Sequence, residues 1–120
     1  MSTPESPDQE VVNFDKALSR VAGDDNMLRE LAEIFLAESP AWVDQIEHAL
    51  EEDDAEGLFR AAHDIKGSTE VFAAESAVQA AKQLEKMGRD GELDEADEAL
   101  GALQAELVWV RNALNDYLES

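Results

Sequence analysis

From residue 93 to residue 117 the apolar side chains Leu93, Ala96, Leu100, Leu103, Leu107, Val110, Leu114 and Tyr117 follow one another in steps of three and four. A strand would alternate every second residue, so this spacing fits a helix with one apolar seam. A seam sustained that long must be covered, either in an intermolecular coiled coil or inside an antiparallel bundle. The bundle is favoured, because several earlier segments are amphipathic helices that need the same cover.

Those segments can be placed in turn. Phe14, Leu18 and Val21 predict a short first helix that stops near Gly23, with Asp24 or Asp25 able to cap the next. A second helix is expected from about residue 25 to 51 on the stripe Leu28, Leu31, Phe35, Trp42, Ile46, Ala49 and Leu50, with a kink or local break at Pro40. Asp53 followed by Glu56 resembles a capping box opening a third helix. Its buried stripe is Leu58, Ala61, Ala62, Ile65, Thr69 and Phe72. After an interruption near residues 73–76, a fourth helix carries Ala77, Val78, Ala81 and Leu84, and GRDG at 88–91 has the composition of a turn with a glycine stop. The expected fold is all-α: an antiparallel up-down four-helix bundle with a short additional N-terminal helix. Residues 1–9, with Pro4 and Pro7, read as a flexible tail before a single domain over 10–120.

Composition narrows the function. With 29 acidic against 9 basic residues and a formal charge of −20, the surface repels nucleic acid and anionic lipid, so neither is an expected partner. The same acidity could steer a partner bearing a basic docking patch. The chain has no cysteine, which removes disulfides, zinc–thiolate sites and thiol nucleophiles. No signal peptide or membrane-length apolar run is present, and a cytoplasmic location is expected. The starting methionine and polar tail favour a free-standing protein.

Residues 61–69, AAHDIKGST, set a chemical question, because a glycine inside a helix costs about 1 kcal/mol relative to alanine. Taking Leu58 as the centre of the buried stripe and turning about 100° per residue, His63 falls near 140° and points to solvent. Gly67 lies one turn on, clearing space beside the imidazole for another molecule. Lys66 at i+3 and Arg60 at i−3 could bring cations to an anion on the ring, and Ser68 adds a hydroxyl. Phe59 and Glu70 lie on the same flank as contacts for a docking partner. His48 falls about 200° from Leu28 and reads as an ordinary surface histidine. Metal binding fits poorly, since no second histidine sits at i+4, and a serine triad lacks its nucleophile elbow. Free imidazole, with a pKa of about 6.5, is mostly neutral at pH 7 and has a lone pair to attack a phosphoryl group.

The stretch AAHDIKGSTEVFAA, residues 61–74, resembles the signature of histidine-containing phosphotransfer (HPt) domains, roughly H-x-L-K-G-S-S followed by an apolar residue and Gly-Ala. His63, Lys66, Gly67 and Ser68 match it, with Ile65 in the leucine position. QLEKMGRDGELDEA, residues 83–96, is similar to the family's L-E-x-x-G-R turn, and LSRVAGDDNMLRELAEIFLAESP to its first helices. Thr69 replaces the second serine and Ala73 the glycine. The resemblance implies a phosphoryl carrier in a multistep His–Asp relay. On that basis His63 takes the group through the nitrogen farther from the backbone and Lys66 and Arg60 offset its charge. The expected partners are response-regulator receiver domains, including those of hybrid histidine kinases. No cofactor of its own is expected, Mg²⁺ being supplied by the receiver. A monomer without kinase or phosphatase activity is expected, the alternative being an adaptor bundle that is never phosphorylated.

Overall fold

The computed structural model describes residues 11–120; the tail expected at 1–9 lies outside the described residues. Five helices follow: α1 Phe14–Arg20, α2 Asp25–Glu51, α3 Ala55–Val71, α4 Glu75–Asp90 and α5 Ala96–Glu119, with no strand among the described residues. The four long helices touch in a closed ring, α2 to α3, α3 to α4, α4 to α5 and α5 back to α2. Helix α3 is therefore diagonal to α5. The predicted apolar stripes face inward: Leu28, Phe35, Ile46, Leu58, Ile65, Leu84, Leu103 and Leu114 are each at most 2% exposed. Burying side chains of this size stabilises by about 1.5–3 kcal/mol apiece before entropy is counted. Phe35 is central, edge-on to Trp42 at 5.4 Å and to Phe72 at 5.6 Å.

Helix starts follow from short acceptors. Asn13 caps α1 by accepting from the Lys16 amide, and Asp24, of the two candidates, caps α2 by accepting from the Met27 amide. For α3 the cap is Asp54, which accepts from the Gly57 amide at 2.9 Å, one residue later than the expected capping box. Asp53 instead takes the left-handed turn conformation, φ +54°.

Two further expectations are corrected. Of the kink or local break expected at Pro40, the break is absent: α2 is one continuous helix from Asp25 to Glu51. Proline removes the amide that would have bonded the Leu36 carbonyl. The Arg111 guanidinium of α5 donates to that carbonyl at 3.0 Å and also to the Ser39 hydroxyl. The GRDG segment is not a turn throughout: α4 continues to Asp90, and only Gly91, at φ +72°, adopts the left-handed stop. Gly88 sits inside the helix, where a Cβ would lie 2.6 Å from the Phe59 nitrogen and 2.8 Å from the Ala55 carbonyl oxygen. Its missing side chain lets α4 close onto the start of α3.

Candidate functional site

His63 projects from the middle of α3 with 58% of its side chain exposed. Phe59, one turn earlier, stacks beside it with ring centres 6.0 Å apart and planes 19° from parallel. On the other side Gly67 has nothing within 4 Å of where a Cβ would stand, so the imidazole is open along the helix. His63 does not line the surface grooves described around Asp44 and His48, Gln83 and Asp90, Ser39 and Arg111, Arg20 and Lys82, or Leu31 and Trp42.

Glu85 of α4, only 9% exposed, holds the imidazole from below. One carboxylate oxygen is 2.7 Å from His63 Nδ1 and the other accepts from Lys66 Nζ at 3.0 Å. Burial works to raise the Glu85 pKa, but the hydrogen bonds from His63 and Lys66 together outweigh it and hold the carboxyl below its usual value. An ionised carboxylate only accepts, so the hydrogen belongs on Nδ1. That leaves the Nε2 lone pair free, and Nε2 makes no hydrogen bond among the described residues. The geometry thus selects one tautomer and aims its nucleophilic atom outward.

The other residues singled out in the sequence are distributed as follows. Lys66 is near His63, but its ammonium is engaged by Glu85 and its side chain is only 22% exposed. Arg60 pairs with Glu56 at 2.7 Å on the outer face of α3. Ser68 turns toward α2, lining a small apolar groove with Leu31, Phe35 and Trp42. Glu70 is exposed, and its carbonyl accepts from Arg20. His48 is exposed on α2. Among the described residues no three His, Cys, Asp or Glu side chains cluster to hold a metal ion.

Sequence reasoning missed Glu85. Its signal was a carboxylate at i+4 from Ala81, on the edge of a buried stripe, where an acid needs a partner. That partner lies 22 residues away on another helix.

Comparison with known proteins accords with this geometry. The family model described as Hpt domain matches residues 30–113. No curated protein matches the chain. Among solved structures, the fold is shared with histidine-containing phosphotransfer protein B (HptB) from Pseudomonas aeruginosa PAO1, with a TM-score of 0.84 at 23% identity over 91% of this chain and 95% of that one. The family model covers well over half of the sequence, and the chain belongs to the Hpt domain family.

Proposed function

We propose that this protein is a phosphoryl carrier in a His–Asp phosphorelay, taking the group on His63 Nε2 from the aspartyl-phosphate of one receiver domain and passing it to the aspartate of another. The observation that carries the reading is an exposed imidazole whose inner nitrogen is held by a buried carboxylate. In the first step the Nε2 lone pair forms an N–P bond while the acyl-phosphate O–P bond breaks, and the receiver aspartate leaves as a carboxylate. No proton moves; Nδ1 keeps its hydrogen and the ring becomes an imidazolium. Glu85 stabilises that positive charge as it develops, as a triad carboxylate does for its histidine. Lys66 offsets the phosphoryl oxygens from the side, and Gly67 leaves room for the partner. Mg²⁺ comes with the receiver, which holds it in its own acidic pocket and supplies charge neutralisation for the transfer. The carrier acts as a monomer in the cytoplasm and needs no kinase or phosphatase activity of its own.

The test is label transfer from a phosphorylated receiver in the presence of Mg²⁺. Acid-labile, alkali-stable label is expected on the wild-type chain and on His48→Gln, and none on His63→Gln. A receiver that binds tightly without passing label would identify an adaptor instead.

A further inference from the structure

The outer surface of α5 departs from the acidity of the rest of the molecule. In a chain with a formal charge of −20, every exposed residue of α5 from Gly101 to Asn115 is uncharged. Val108 is 55% exposed and Trp109 45%, two of the four large apolar side chains that stay exposed among the described residues. Beside Val108 this strip dips into a groove between α5 and α2. Pro40, Val43, Leu107 and Val108 give the groove its apolar lining, and Asp44 and Glu47 stand exposed along its α2 edge.

Exposed charge returns only at the margins. Asp97 and Glu98 are exposed before the strip and Asp116 and Glu119 after it, so with Asp44 and Glu47 a frame of carboxylates surrounds it. The one cation of α5, Arg111, is committed to the Leu36 carbonyl and the Ser39 hydroxyl. An apolar centre inside a charged rim is the layout of a protein interface. Here the exposed rim charges are carboxylates, which favours a partner whose own rim is basic.

We propose that the α5 strip and its groove bind a helix of a partner protein, one with an apolar face edged by lysine or arginine. The apolar face covers Val108 and Trp109 and seats a side chain over Leu107, while the cations meet the framing carboxylates. A second copy of this chain fits poorly, because it brings the same carboxylates to the same rim. Helix α5 is diagonal to α3, so the strip lies across the bundle from His63. A helix bound there leaves the imidazole open, and the protein can be held by one partner while another meets His63. The inference stands apart from the carrier reading, since this binding needs no phosphoryl group.

The probe is a synthetic amphipathic helix with leucine at i, i+3, i+4 and i+7 and lysine on both flanks, beside a scrambled peptide of equal composition. Calorimetry gives the affinity, and amide NMR shows which residues the peptide touches. Shifts are expected on α5 between Gly101 and Asn115, at the Trp109 indole, and on α2 around Val43. Val108→Asp should weaken binding about tenfold. Ile34→Asp is the matched control, because Ile34 is also 55% exposed but lines the groove between α2 and α3 with Ser68 and Phe72. It should leave the affinity near the wild-type value. Equal weakening by the control, equal binding of the scrambled peptide, or shifts centred on another helix pair would each overturn the proposal. So would a dimer in sedimentation that Val108→Asp dissolves, which assigns the strip to a second copy. Label transfer to His63 should run at the same rate with the peptide bound, and a block would place the helix over α3 and overturn the proposal too. Peptide on α5 with no label reaching the wild type would overturn the carrier reading alone.

Discussion

Glu85 and His63 form a pair in which each side chain sets the state of the other. A glutamate this deeply buried needs hydrogen-bonding or positive company, and it finds it at Nδ1 of His63 and Nζ of Lys66. Its carboxyl titrates below the ordinary range, so the stability it contributes is complete above the usual carboxylate pKa. That contribution is lost as pH falls through the lowered folded value. Glu85→Gln keeps an acceptor for Nδ1 but removes the charge that balances the imidazolium. A hydrogen bond to a charged group contributes about 1.5–3 kcal/mol, so phosphoryl transfer should slow about 10- to 100-fold. Circular dichroism should show the helices intact. An unchanged rate in a folded Glu85→Gln protein would remove the carboxylate from the mechanism.

At the scale of elements, the seam between α3 and α4 fixes the distance from Glu85 to His63, and Gly88 fixes the seam. A Cβ there would meet backbone atoms of Ala55 and Phe59, which cannot swing aside as a flexible side chain would. Gly88→Ala should therefore destabilise by about 1–3 kcal/mol, read as a lower urea midpoint, despite alanine's better helix propensity. A raised midpoint would contradict the close approach. The sequence made the helices themselves plain, down to the bounds of α2, because apolar spacing is a local property. It placed His63 on the solvent side by the same arithmetic. What it could not supply depends on a second helix. Gly88 before Arg89, Asp90 and Gly91 has the composition of a turn until the Phe59 backbone is seen against it. Glu85 is an unremarked carboxylate until His63 is placed over it. The α3 cap shifted from Asp53 to Asp54 because either aspartate can begin such a helix, and the loop's left-handed residue decides between them.

At the scale of the whole molecule, the two ends of the described chain are fastened to the same corner. Tyr117 stacks on Phe14 at 4.8 Å and its hydroxyl donates to the Asp25 carboxylate. Arg29 pairs with Asp25 at 2.8 Å, lies 4.9 Å over the Tyr117 ring and donates to the carbonyls of Leu118 and Ser120. Burial and the bond to Asp25 push the Tyr117 pKa up to about 12. A raised folded pKa means that this contribution is complete below the ordinary tyrosine value, about 10, and lost as pH rises through 12. The chain has one tyrosine, so ultraviolet absorbance follows this group alone, and its midpoint should lie near 12 in the folded protein. A midpoint near 10 would mean that the corner is open in solution. The proline in α2 has a consequence on the same scale. Arg111, which answers the Leu36 carbonyl, is 75 residues farther along the chain. As the polypeptide leaves the ribosome, α2 emerges with a flaw at its middle, and the residue that mends it has yet to be made. The Leu36 carbonyl of α2 gains this partner only when α5 arrives.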